Sequence, residues 1–133
     1  MPQNIAVIGG GAAGFFAAFS CKTRVVIFEK TGKLLSKVKV SGGGRCNVTH
    51  ACFNNNDLVR FYPRGGKQLK KVFGQFTTTD TVAWFEERGV QLKAEADNRM
   101  FRITDNSQTI IDCFLKEANK LGIQVVVNAN VNS

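Results

Sequence analysis

The chain has 133 residues, 44% apolar and 21% charged, an ordinary globular composition with enough apolar residues for a core, which argues against wholesale disorder. Its net charge of +8 raises the question of an acidic partner. The cations are scattered over residues 33–39, 60–71 and the final third, so a solvated surface and a diphosphate ligand account for them better than nucleic acid does.

The amino-terminal stretch NIAVIGGGAAGFFAAF reads as strand, glycine turn and helix. The apolar run Ile5 to Ile8 is too short for a helix and suits a strand buried on both faces. Gly9-Gly10-Gly11-Ala12-Ala13-Gly14 follows with G-x-G-x-x-G spacing. In that pattern the first glycine permits a tight turn, the second lets backbone approach a pyrophosphate, and the third lets helix and strand pack closely. Ala12, Phe15, Phe16 and Phe19 then form a helical stripe facing the sheet, where a core role is expected. Val25 to Phe28 reads as the second strand. Glu29 ends it about 20 residues after the first glycine, where an acid can hold ribose hydroxyls. Glycine spacing alone is weak evidence, but strand, helix, second strand and acid together favour dinucleotide binding over a structural turn.

Two exclusions concern the same region and the cysteines. Ala18-Phe19-Ser20-Cys21 is loosely like a lipoprotein cleavage site, but no positive residue precedes it and glycines interrupt the apolar run. No run approaches the roughly 18 to 20 apolar residues of a membrane-spanning helix, so a cytoplasmic protein without membrane contact is expected. Cysteines 21, 46, 52 and 113 form no C-x-x-C pair, and His50 is the lone histidine, so no metal site is expected and thiols are the default.

Residues 31 to 57 are rich in glycine and asparagine, yet carry Leu34, Leu35, Val38 and Val40, which suggests an ordered, docked segment rather than a linker. Within it Ser41-Gly42-Gly43-Gly44 forms a second glycine turn, whose N–H groups can converge on an anion or a flat ring. Arg45 adds a cation, and Asn47 can both donate and accept. Asn56 is the expected cap of a short helix over 57–61, which Pro63 to Gly66 breaks. Helices are expected over 67–75 and from Thr78 or Thr79 through Arg88, then strands over 90–94 and 99–104 about a turn at Asp97-Asn98. Trp84 reads as core. Asp105-Asn106-Ser107 offers caps for a helix whose apolar face is Ile110, Ile111, Phe114, Leu115, Ala118 and Leu121, with Asp112 and Lys116 paired on the other face. Gly122 ends it, and 123–127 is a further sheet strand. The expectation is one α/β, Rossmann-like dinucleotide-binding domain over 1–133, three-layered about a parallel sheet, with an inserted α+β segment at roughly 31–106.

The order VIGGGAAG, IFEK, SGGGRCNVTH resembles the flavoprotein oxidoreductases with a glutathione-reductase-type FAD domain. More narrowly it resembles the bacterial NAD(P)/FAD-dependent oxidoreductases marked by S-G-G-G-R-C-N-x-T-N. The resemblance implies FAD as cofactor, with NAD(P)H a possible electron donor in a full-length protein. It implies that Gly9, Gly11 and Gly14, with the backbone of Ala12 and Ala13, hold the pyrophosphate in a cofactor-binding turn that includes Gly10, that Glu29 and Lys30 serve the adenosine ribose, and that Val131 touches adenine. Lys37 and Gly42, Gly43, Gly44, Arg45, Cys46 and Asn47 would approach the flavin half. Cys46 has no partner at disulfide-reductase spacing and is expected to be a flavin-shell residue rather than a redox cysteine. His50 departs from the asparagine of the subfamily motif. Such flavoproteins are much longer, so this sequence is expected to be an amino-terminal portion with an incomplete FAD site, inactive by itself. Catalytic residues, substrate and oligomeric state stay open. So do an RNA-binding flavoprotein of the tRNA-modifying kind, a nicotinamide-only dehydrogenase domain and a non-catalytic folded fragment.

Overall fold

The computed structural model describes residues 3–132, which form two compact units, residues 3–44 with 106–132 and residues 45–105. The first is an α/β Rossmann-like unit. Its strands are β1 (Asn4–Ile8), β2 (Arg24–Phe28) and a third, β6 (Gln124–Val126), all parallel in the order β1-β2-β6. Helix α1 (Ala12–Phe19) connects β1 to β2, and α6 (Ser107–Lys120) leads into β6. This is the helix-linked parallel arrangement that the periodicity predicts.

Burial differs from expectation in β1. Ile5 is 37% and Ile8 61% exposed, because among the described residues β1 pairs only with β2 and is an edge strand. Val25 and Ile27 of the central β2 are buried. The aromatic stripe of α1 also differs slightly. Ala12 is exposed at the start of the helix, while Phe15, Phe16 and Phe19 gather about Phe114 of α6. Phe19 meets Phe114 edge to face at 5.4 Å, an arrangement worth about 0.5–1.5 kcal/mol beyond area burial. Ile110, Ile111 and Ala118 complete the buried face of α6 as its spacing predicts, whereas Leu115 and Leu121 are exposed. Asn106 caps α6 by accepting from the Gln108 amide at 2.9 Å.

Between β2 and the second unit lies α2 (Ser36–Gly44), which follows the buried Leu35. Ser41, Gly42 and Gly43 leave helical geometry, and Gly42, Gly43 and Gly44 all have positive φ, so the expected second glycine turn follows a short helix there.

The unit 45–105 begins at 45 rather than at the expected 31. It contains β3 (Thr49–His50), β4 (Leu92–Ala94) and β5 (Arg99–Arg102) in an antiparallel sheet of order β3-β5-β4. Its helices are α3 (Asn55–Leu58), α4 (Gly66–Phe73) and α5 (Thr78–Glu86), with a 3-10 turn at Val59–Phe61. Asn54, not Asn56, caps α3, because its side chain reaches the amides of Asn56 and Asp57. Thr77 and Asp80 form a capping box on α5, one residue ahead of the expected cap. Phe85, Val90, Met100 and Phe101 form the core with Leu58, whereas Trp84, expected in the core, is half-buried against Phe85 with the Arg88 guanidinium 3.9 Å from its ring centre.

Candidate functional site

The first unit gathers most of the nucleotide-fingerprint residues at the carboxyl end of its parallel strands. The Gly9 amide donates to the Phe28 carbonyl at 2.8 Å, and the chain then turns at Gly9 with φ +108°. A Cβ at Gly14 would lie 2.0 Å from the Gly9 carbonyl oxygen, so only glycine lets α1 start this close to the strand. A Cβ at Gly11 would meet nothing within 4 Å, so that side of the turn is open. Helix α1 has no side-chain cap, and Ala12 and Ala13 are exposed in its first turn. Its leading amides and the positive end of its dipole therefore make a place for an anion.

Gly10 has a different role. It is buried, its amide donates to Glu29 Oε2 at 2.8 Å, and its carbonyl accepts from the Leu35 amide at 2.8 Å. Both of its backbone groups are thus used inside the protein, and it fixes the turn against Glu29. The other carboxylate oxygen of Glu29, Oε1, accepts from the Thr31 amide at 2.9 Å and lies 3.0 Å from the Thr31 hydroxyl. The Thr31 and Gly10 amides, then the Thr31 hydroxyl, hold the Glu29 carboxyl below its ordinary value, so it stays an ionised acceptor.

Beside Glu29, the chain leaving β6 continues the pairing of the sheet. The Glu29 amide donates to the Val126 carbonyl, and the Ala129 amide donates to the Glu29 carbonyl, each at 2.9 Å. This brings Ala129, Asn130 and Val131 against Ile8, Gly9, Phe28, Glu29 and Lys30, around a cavity of about 140 Å³. Gly9, Glu29, Lys30 and Val131, separated by up to 122 residues of sequence, therefore share one cavity. Thr31 and Asn130 are the contributors that sequence reasoning missed. Thr31 directly follows the acid and its lysine, which is a readable signal, whereas the position of Asn130 depends on how β6 pairs.

The remaining candidates are not among the residues lining this cavity. Lys37 is exposed on α2, and Gly42 to Gly44 close the first of the two segments that make up the first unit. In the second unit the Arg45 guanidinium is held by Glu95, lies 3.6 Å from Asp105 and covers the Phe101 ring at 4.1 Å. Glu95 above all raises the Arg45 pKa. Cys46 is buried with φ +59°, and Asn47 is exposed. All four cysteines are thiols, and among the described residues no group of three or more His, Cys, Asp or Glu is placed to hold a metal. No helix of the described residues is long and apolar enough to cross a membrane.

The first unit thus brings together an open glycine turn, an ionised carboxylate and a cavity bordered by residues 129–131. Residues 3–133 match the family described as HI0933-like protein Rossmann domain. The chain is 24% identical over 133 residues to a ribosomal RNA dihydrouridine synthase of Haemophilus influenzae, covering 98% of this chain and 32% of that protein. It is 27% identical over 130 residues to the ribosomal RNA dihydrouridine synthase of Escherichia coli, covering 96% and 32%. It is 23% identical over 136 residues to a 3-dehydro-bile acid delta(4,6)-reductase of Clostridium scindens, covering 98% and 32%. The chain thus spans 32% of the length of each of these relatives. Among solved structures, that of Thermovibrio ammonificans THI4 superposes with a TM-score of 0.55 at 15% identity, over 95% of this chain and 38% of that one, a likeness of fold.

Proposed function

Because the chain belongs to the HI0933-like protein Rossmann domain family, we propose that it is the FAD-binding part of a flavin-dependent oxidoreductase with a glutathione-reductase-type FAD domain. The observation that carries this reading is the ionised Glu29 carboxylate, clamped by backbone amides beside an open glycine turn. In this reading Gly9, Gly11 and the leading amides of α1 hold the pyrophosphate, and Ala129 to Val131 border the adenine. Glu29 receives the ribose hydroxyls. A ribose hydroxyl donating to Glu29 Oε1 displaces the Thr31 hydroxyl, which has the Lys33 carbonyl at 3.2 Å as an alternative acceptor. The resemblance assigns Lys37 and Gly42 to Asn47 to the flavin half, and that assignment belongs to the same proposal. Bound FAD would supply hydride transfer, while the protein positions it and tunes its surroundings.

Calorimetric titration of the chain with FAD and with ADP tests the assignment. Glu29→Ala should weaken both by about tenfold or more, the loss of one charge-assisted hydrogen-bonding group. Unchanged affinity would remove Glu29 from the site.

A second reading is favoured by the charge of +8 and by two relatives named ribosomal RNA dihydrouridine synthase. In it the oxidoreductase acts on RNA. Binding to an unstructured RNA should then fall steeply with salt. A gel-shift titration at low ionic strength that shows no complex would end this reading and leave the flavin reading standing.

A further inference from the structure

Between Leu58 and Thr79 the sequence has five basic residues, Arg60, Arg64, Lys67, Lys70 and Lys71, and no acidic one. All five are exposed, and they come from the 3-10 turn, the loop after it and α4. Interleaved with them are aromatic residues. Phe61 is 60% and Tyr62 42% exposed, although the Tyr62 ring also meets Phe73 at 5.7 Å. Lys70 precedes Phe73 by three residues on α4, so the cation and the ring share one face of that helix.

The rings also line a cavity. Phe61, Tyr62 and Phe73, with His50 of β3, border a space of about 500 Å³ within the 45–105 unit. This lies in the size range of small-molecule sites. No Asp, Glu, Lys or Arg lines it. The His50 and Phe61 rings lie 4.5 Å apart, and among the described residues buried His50 Nε2 has no hydrogen-bond partner. An aromatic, uncharged cavity suits a flat, neutral ring bearing polar edges. An adjoining run of cations, of which Arg60 lies 3.5 Å from the Asp57 carboxylate, suits a chain of phosphates. Single-stranded nucleic acid carries both on one molecule, whereas a duplex keeps its bases stacked.

We propose that the 45–105 unit binds single-stranded RNA, with one unstacked base in the cavity beside Phe61, Tyr62 and Phe73 and the flanking phosphates on Arg60, Arg64, Lys67, Lys70 and Lys71. The choice of RNA rests on the second reading above, while the location rests on this unit alone. Base stacking gives the grip, and the cations supply attraction that is independent of sequence.

The test uses the whole chain and a fluorescent twelve-residue oligouridylate. With five phosphate contacts, log affinity should fall against log salt with a slope of about −3.5. Combined Lys67→Glu, Lys70→Glu and Lys71→Glu substitution should weaken binding at least about tenfold at low salt, and Phe61→Ala by about tenfold. Lys116→Glu with Lys120→Glu, on the exposed side of α6, should stay within about twofold of the unsubstituted chain, their charges lying outside the proposed run. His50 and Tyr62 are the sole histidine and tyrosine, so their ring resonances are unambiguous in the unsubstituted protein and should move as the oligonucleotide saturates it. Binding that survives the triple substitution, or that leaves both rings unmoved, would overturn this site while the RNA reading stands. Polyglutamate shifting the same two resonances equally would also overturn it, as would equal affinity for a duplex. Absence of any RNA complex would overturn the site and that reading together.

Discussion

Glu29 shows how one side chain can be legible in role and illegible in setting. Its distance from Gly9 announces an acid at the end of the second strand, but not that its carboxylate would fasten Gly10 and Thr31. That clamp has a pH consequence. The folded carboxyl titrates below its ordinary value, so its stabilising contribution is complete above the unfolded value and is lost as pH falls through the lower folded one. Urea midpoints of the parent chain and Glu29→Gln should therefore differ by a constant amount near neutrality and converge in acid. A gap that persists in acid would mean that the carboxylate contributes nothing as an ion. Ser107 makes a second residue-scale case. Its buried hydroxyl donates to the Lys39 carbonyl at 2.9 Å, tying the start of α6 to α2 across 68 residues of sequence. Ser107→Ala should lower stability by about 0.5–1.5 kcal/mol, read from urea unfolding. No local pattern marks that bond.

At the scale of elements, the glycine turn and α1 make two separable demands. Gly14 answers packing, as the spacing predicts, and Gly11 leaves one side of the turn open. Gly14→Ala drives a Cβ into backbone and should destabilise the chain by about 1–3 kcal/mol or more. Gly11→Ala meets no atom within 4 Å and has an ordinary negative φ of −92°, so its unfolding midpoint should hardly move. In the proposed function it should nevertheless weaken ADP binding, because the methyl occupies the open side of the turn. Equal loss of stability in the two variants would show that the open side is packing surface. Helix α6 was readable over most of its length because cap, apolar face and terminating Gly122 all agree. Asn106→Ala should cost about 1 kcal/mol through loss of that cap, measurable as a lower thermal midpoint. The short helices at 55–61 were placed less well. Within one turn several asparagines compete for the cap, and only the fold decides that Asn54 reaches the amides.

For the whole molecule, charge and length bear directly on what can be measured. The residues proposed to face ADP lie in the first unit, and the chain spans 32% of its curated relatives. In the proposed function ADP should therefore compete with FAD at an affinity within about tenfold, or about 1.4 kcal/mol. FAD binding far tighter than ADP would mean that this chain grips the flavin ring as well. The Rossmann-like arrangement was determined by sequence alone, because its signals are local: glycines two and five residues apart, a helical period, and an acid closing a short apolar run. The sequence also sufficed to mark Glu29 and the glycine turn. Tertiary structure decided the rest. It made β1 an exposed edge strand, since strand neighbours depend on pairing rather than on apolar content. It set residues 45–105 apart as a unit with its own antiparallel sheet and core. It also brought Asn130 and Val131 beside Glu29, through hydrogen bonds between segments about a hundred residues apart, a separation over which no local spacing specifies which backbone groups will meet.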